Sequence, residues 1–258
     1  MTRHIVQYSG GIGSCAAAMR VAERHGTDDM VLLAADAGSE DPDLWRFVKE
    51  TSAYLGLEPV IVSDGRTPFE LFHDVRFLGN SRLAPCSHLL KQKPCREWME
   101  ANADPADTIV YIGIENTKRD RARIPGIARN WKPWRVQFPL CNRWEPSRSK
   151  AELLAEVRAV GIEPPRIYAW AEHNNCFGKC VRAGKRHWAA LWENDPDRYR
   201  EAERDEQAIR EHLGKPVTIL REQVGGVKRP LTLREFRLRL EAEAAAEREL
   251  ATAGGGRP

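Results

Sequence analysis

The residues with most chemistry in them come early. "YSGGIGSCAAA", Tyr8 to Ala18, sets three glycines and two serines between a short apolar run and an alanine-rich run. Glycines let a backbone close on an anion. Peptide N–H groups then point at it, and the positive end of a following helix favours it. Two phosphate loops fit these letters. Ser9-Gly10-Gly11-x-x-Ser14 is a pyrophosphate loop with a hydroxyl on either side of the phosphates. Gly11-x-Gly13-x-x-Ala16 is a relaxed dinucleotide fingerprint, with Asp36 beyond it as a ribose acid. A plain strand-to-helix turn needs the same residue types. The Walker loop is excluded, because no Lys-Ser/Thr pair follows the glycines.

Thiols form a second set. Cys15 and Cys141 stand alone and read as small buried residues. Cys86, Cys95, Cys176 and Cys180 are candidate ligands, the last two inside "HNNCFGKCVRAGKRHW". Thiolates suit a [4Fe–4S] cluster or Zn²⁺, and His173 could complete part of a zinc site. The spacing also fits unligated thiols one helical turn apart. A third set is basic. Between Lys118 and Arg135 seven Lys/Arg (118, 119, 121, 123, 129, 132, 135) face a single Asp. Such clustering suits a polyanion, with Trp131 and Trp134 as candidate base-stacking groups. The bland reading is a solvated loop. Trp188 and Trp192, four apart, read as helix packing.

These groups need elements to hold them. "HIVQYS", "MVLLAADAG", "EPVIVSD" and "DTIVYIGI" read as strands. Helical segments alternate with them: "SCAAAMRVAERHG", ending on Gly26, and "DPDLWRFVKETSAYLG", capped by Asp41 and Pro42. "PFELFHDV" and "SHLLKQKPCREWMEAN" follow, the latter broken near Pro94. This order predicts a doubly wound parallel sheet of Rossmann-like type. Ligands in such sheets sit beyond the carboxyl ends of the strands, here Ser9 to Gly13, Asp36, Ser63-Asp64 and Glu115. Later segments predict a helix capped at Ser147 or Ser149 and two helices split at Asp195-Pro196. "PVTIL" reads as a strand and "LREFRLRLEAEAAAEREL" as a long charged helix. The implied layout is an α/β domain over 1–180, a mostly helical extension over 181–250 and a flexible tail over 251–258.

With 258 residues, 42% hydrophobic and 30% charged, the chain is long enough for a sizeable core. No apolar run approaches the roughly 20 residues of a membrane span. No secretory signal opens the chain, and the cysteines suggest no disulfide framework, so the expectation is a cytoplasmic protein. Net charge of +3 does not by itself argue for nucleic acid.

Several segments, taken in order, resemble the phosphoadenosine phosphosulfate reductase-like family of pyrophosphate-loop enzymes. They are "YSGGIGS", "DAGSEDPDLWRFV", "CSHLLKQKP", "IGIENTKRDRARIPG" and "FPLCNRW…GIEPPRIYAW". The resemblance implies an adenine nucleotide α-hydrolase-like fold. Ser9, Gly10, Gly11 and Ser14 would hold the phosphates of ATP or a sulfonucleotide, with Mg²⁺. Asp36 and Gly38 would lie near ribose and base, and Lys91, Arg119 and Arg123 would add positive charge. Gly13 then becomes merely permissive. The match breaks at the catalytic thiol of the reductases. Their Glu-Cys-Gly-Leu-His motif is absent, no cysteine follows Cys180, and Ser87 interrupts their Cys-Cys pair. The leading expectation is therefore adenylation of an acceptor, or sulfur transfer, with pyrophosphate release. Competing readings are sulfonucleotide reduction, a non-catalytic binder of nucleotide or nucleic acid through the 118–135 loop, and an NAD-type Rossmann protein. The acceptor and any homo-oligomeric state stay open.

Overall fold

A computed structural model describes residues 2–141 and 146–254. The elements run β1 (Arg3–Gln7), α1 (Ile12–His25), β2 (Met30–Asp36), α2 (Pro42–Tyr54), β3 (Val60–Ser63) and α3 (Pro68–Asp74). A π-helical turn (Ser87–Gln92) leads into α4 (Lys93–Asn102), then β4 (Thr108–Ile112), α5 (Lys118–Arg121), α6 (Ile124–Asn130), β5 (Arg135–Gln137) and α7 (Lys150–Ala159). The chain ends with α8 (Lys185–Asn194), α9 (Pro196–Leu213), β6 (Leu220–Val224), β7 (Val227–Leu231) and α10 (Leu233–Gly254). It divides into two compact units. One comprises 1–67, 87–169 and 173–177; the other comprises 68–86, 170–172 and 178–258.

The first unit is an α/β domain around a five-stranded sheet ordered β3-β2-β1-β4-β5. Every pairing is parallel; Ile5 stands opposite Val31 on one side and Val110 on the other. Side chains alternate across the sheet as a two-residue period requires. Val6, Leu32 and Tyr111 join Ile12, Ala16, Phe47 and Val157 in one apolar layer, under α1, α2 and α7. Ile5, Leu33 and Val110 join Cys95, Met99, Trp131 and Trp134 in the other. Both indoles of the basic segment are thus core residues, 6% and 4% exposed. The expectation that they stack on bases is corrected: the sheet needed their area.

Local signals behave as the sequence suggests. Asp41 accepts from the Asp43 N–H at 2.8 Å, with Pro42 opening α2. Ser149 and Glu152 form a reciprocal capping box on α7. Gly26, at φ +75°, ends α1.

One polar cluster lies within this unit. His4, 8% exposed, stacks on His25 with centroids 4.2 Å apart and shares a 2.8 Å hydrogen bond with the Tyr111 hydroxyl. Burial holds both imidazoles below their ordinary 6.5; their mutual repulsion lowers His4 further and Arg24 lowers His25, against a weaker pull from Asp29 on His4. The unfolded chain therefore takes up protons that the folded chain refuses. Stability from this pair is complete above about pH 6.5 and falls as pH drops below it. In a Glu206→Gln background, which removes an opposing carboxyl, urea midpoints measured from about pH 7.5 to 5.5 should decline. The decline should shrink in His4→Gln, and an unchanged slope there would remove His4 as its source.

The second unit holds α3, α8, α9, the hairpin and α10. The split at Asp195-Pro196 is observed, with the Asp195 carboxylate capping α9. Trp188, fully buried, and Trp192 both pack edge-on against Tyr199. "PVTIL" contributes only its last residue to β6, which instead forms an antiparallel hairpin with β7. Gly225 and Gly226, at φ +56° and +80°, make the two-residue turn that Val-Gly-Gly-Val specifies. Residues 251–254 continue α10 rather than forming a loose tail; residues 255–258 lie outside the described residues. Among the described residues, no helix is long and apolar enough to cross a membrane.

Candidate functional site

In a sheet ordered 3-2-1-4-5, the order of strand addition reverses between β1 and β4, and that is where an open parallel α/β sheet leaves a crevice. The Ser9–Ser14 loop stands at the carboxyl end of β1. The Tyr8 N–H closes on the Leu33 carbonyl at 2.7 Å, and the chain then leaves the sheet. Gly10 turns it at φ +70°. A Cβ there would lie 2.7 Å from Leu44 and 2.9 Å from Val48, so this position is glycine by conformation and by packing. Gly11 is the N-cap of α1, with extended φ and ψ and no side-chain cap. The first turn carries no acid. The positive end of a 14-residue helix is thus left without a charged partner of its own.

Two hydroxyls line this end. The Ser14 hydroxyl donates to the Gly11 carbonyl at 2.8 Å, and the Ser9 hydroxyl donates to Ser14 Oγ at 3.3 Å. Ser9 is exposed and Ser14 is buried. Gly13 is more than permissive. A Cβ on it would lie 2.9 Å from the Gly113 carbonyl oxygen, just past β4. A Cβ on Gly113 would in turn lie 2.3 Å from the Gly13 oxygen and 2.6 Å from the Ser14 nitrogen. Two glycines let α1 seat directly on the end of β4.

Tyr168 closes the loop from the far end of the unit. Its hydroxyl accepts the Ile12 N–H at 2.9 Å, and burial pushes this phenol up to about 12. Lys150, at the start of α7, stands 5.7 Å over the Tyr168 ring and pairs with Glu115 at 3.3 Å. Glu115 itself reaches toward Gly13. Lys150 carried no motif signal, and Tyr168 only that of the resembling stretch in which it lies. The stretch "GIEPPRIYAW" contains Tyr168 but gives no reason to single it out.

Asp36 and Gly38 sit together at the end of β2. The Asp36 carboxylate accepts the Gly38 N–H at 2.8 Å, and Gly38 has φ +65°. The Lys91 ammonium binds the Glu40 carboxylate at 2.5 Å. The second Glu40 oxygen accepts the Cys176 N–H at 3.0 Å. Glu40, with a side chain only 4% exposed, is a functional candidate that sequence reasoning passed over; it is one of three acids in "SEDPD". Arg119 and Arg123 are both exposed, and Arg123 pairs with Asp120 at 3.1 Å. No hydrogen bond or ion pair among the described residues ties either to the loop. All seven basic residues from Lys118 to Arg135 are exposed.

Cys95 and Cys176 belong to the first unit, Cys86 and Cys180 to the second. Cys95 is 3% exposed in the apolar layer beneath α4, and burial pushes its thiol up to about 12. Among the described residues, no three His, Cys, Asp or Glu side chains come together to hold a metal ion. Cys176 and Phe177 take left-handed backbone, φ +50° and +51°, not the helical turn that would stack two thiols. Cys15 is a core residue, as expected, and Cys141 is half-buried, donating its S–H to the Ile114 carbonyl at 3.2 Å. Asn142 to Glu145, which include the Trp of "FPLCNRW", lie outside the described residues.

A cleft of about 430 Å³ is lined by His88, Lys93, Arg96, Glu97 and Trp131, and shares no lining residue with the loop. Charged side chains of α4 make it, with Arg96 lying over both core indoles. No protein-family model matches the chain, and no curated protein matches it.

Proposed function

We propose that the chain is an adenine-nucleotide enzyme of the phosphoadenosine phosphosulfate reductase-like kind, which transfers the adenylyl group of ATP to an acceptor. The observation that carries this reading is the Ser9–Ser14 loop at the carboxyl end of β1. There two hydroxyls and the start of α1, whose N-cap Gly11 offers no side chain, meet at the point where the strand order of a parallel sheet reverses. Such an array suits the β- and γ-phosphates that must leave together. The acceptor's nucleophile forms a bond to the α-phosphorus, the bond to the bridging oxygen breaks, and pyrophosphate departs with that electron pair. Mg²⁺, carried on the nucleotide's own phosphate oxygens, would supply charge neutralisation. Lys91 and Lys150 are the nearby cations of the chain itself, each already fixed by a carboxylate, Glu40 and Glu115 respectively. Stabilisation in this reading is electrostatic and set in place before the substrate arrives.

The exposed cations from Lys118 to Arg135 favour a polyanionic acceptor, with nucleic acid as the leading class. Because Trp131 and Trp134 are buried, this contact would be to phosphates and not to bases.

The test is ATP-dependent pyrophosphate release, compared between the natural chain and Gly11→Val. Gly11 has ordinary backbone angles, and a Cβ there meets the Tyr168 hydroxyl only at 3.5 Å and Ser9 Oγ at 3.7 Å. The fold should survive while the space for phosphate fills, and release should fall about a hundredfold or more. Release that ignores this change, or sulfite formation from a sulfonucleotide with reduced thioredoxin, would count against adenylyl transfer. Iron, sulfide and zinc analysis after anaerobic purification tests the cysteines separately.

A further inference from the structure

The second unit carries a ribbon that the proposed nucleotide chemistry does not use. β6 and β7 form a two-stranded antiparallel sheet, roughly 17 Å long at about 3.4 Å per residue. From Arg221 to Pro230 every residue except Glu222 is exposed. Cross-strand partners share a face, and successive residues alternate between faces. Leu220 with Leu231, Glu222 with Arg229, and Val224 with Val227 therefore share one face. Leu220 and Leu231 root that face in the core, 4% and 0% exposed. Arg239 of α10 holds the Glu222 carboxylate through two hydrogen bonds, at 2.5 and 3.1 Å. The opposite face carries Arg221 with Pro230 and Gln223 with Lys228, all exposed and none acidic. Among the described residues, no ion pair engages Arg221 or Lys228.

Two cations beside a carboxamide are groups that meet phosphates and base edges in a DNA groove. The major groove of B-form DNA admits a two-stranded ribbon, whereas that of an RNA helix is too deep and narrow for side chains to read. Residues 220–231 include no aromatic side chain, so the ribbon gives the bases of a single strand nothing to stack on. Val224 and Val227, 44% and 58% exposed, lie on the other face from Arg221 and Lys228. That splits the apolar and cationic contacts a lipid surface would need together. Pro230 and the neighbouring charges discourage strand addition by another protein. We propose that the β6–β7 ribbon is a contact for double-stranded DNA, seated in the major groove with Arg221 and Lys228 on backbone phosphates and Gln223 toward the base edges. The ribbon belongs to the second unit, so this role stands whether or not the first unit transfers adenylyl groups.

Fluorescence anisotropy of a labelled, mixed-sequence DNA duplex tests it, titrated with the full chain between about 50 and 200 mM salt. The natural chain is compared with the double variant Arg221→Ala, Lys228→Ala, with thermal unfolding alongside. Both side chains are exposed, so the unfolding temperature should not move. Each phosphate contact adds about 0.9 to the slope of log affinity against log salt. The double variant should therefore lower that slope by about 2 and weaken binding roughly fiftyfold near 0.1 M salt. The natural chain should also prefer the DNA duplex to an RNA duplex of the same sequence, a comparison that needs no variant. A slope that the double variant leaves unchanged would overturn the ribbon's role and leave the Lys118–Arg135 segment as the nucleic-acid contact. Equal or tighter binding of the natural chain to RNA duplex or to single strands would overturn it as well. So would no binding to DNA, with or without binding to phosphatidylserine vesicles. Pyrophosphate release from ATP judges the nucleotide reading separately, and none of these outcomes bears on it.

Discussion

Gly113→Ala should unseat the Ser9–Ser14 loop and cost about 3 kcal/mol or more of stability. The added methyl would stand 2.3 Å from the Gly13 carbonyl oxygen, 2.5 Å from its carbon and 2.6 Å from the Ser14 nitrogen. All three are backbone atoms, so no rotamer change relieves the clash. Overpacking a tight site typically costs about 1–3 kcal/mol, and a backbone collision belongs at or past the upper end. Relief requires α1 to lift from β4, which displaces Ser14 and the start of the helix. A shift of about 1 Å at such a site is worth on the order of a hundredfold in rate. Denaturant unfolding should show the loss of stability and, under the proposed adenylyl transfer, pyrophosphate release should fall with it. Gly126→Ala is the control: a Cβ there meets nothing nearer than the Arg129 guanidinium at 3.9 Å. Equal stability of the two variants would show that the loop can move without penalty.

The second large effect lies in the other unit. Glu206, on α9, is 1% exposed, and its two carboxyl oxygens accept the N–H groups of Ile219 at 2.8 Å and Leu233 at 2.7 Å. One side chain thereby holds the approach to β6 and the first residue of α10. Glu206→Leu leaves both donors buried without partners, at about 1–3 kcal/mol each, so a total of roughly 2–6 kcal/mol is expected. Glu206→Gln keeps one acceptor and should lose about half as much. Burial, opposed by those two donors, raises the Glu206 carboxyl from 4.5 to about 7. The folded chain therefore keeps a proton that the unfolded chain gives up. This contribution to stability is complete below about pH 4.5 and is lost as pH rises through about 7. The histidine pair has the opposite sign, losing stability on acidification. Stability against pH for Glu206→Gln should lack the decline toward pH 7 and keep the decline below 6.5. A profile parallel to that of the natural chain would assign the decline to another group.

What the sequence made legible was local. Asp41 with Pro42, Ser149 with Glu152, and Asp195 with Pro196 each act within three residues, and each forms the cap expected of it. The parallel sheet was legible because its buried strands read as apolar runs. The Ser9–Ser14 loop was legible because glycine spacing is itself the geometry. The rest of the site was hidden by distance along the chain. Tyr168 meets Ile12 across 156 positions, and Glu40 meets Cys176 across 136. Nothing in the composition of "RIYAW" or "SEDPD" marks one residue for such a role. The basic segment misled for a related reason. Charge density described its surface correctly, but its two tryptophans answer to the face of the sheet below them.

The Tyr168 bridge also fixes when the loop can be finished. Ribosomal synthesis runs from the N-terminus, so the loop of residues 9–14 emerges first, yet the hydroxyl that holds the start of α1 is the side chain of residue 168. A nascent or truncated chain ending before that point has every glycine and serine of the loop but not the strap that sets it. The strap is thereby set only after all five strands of the sheet, the last ending at Gln137, have been made.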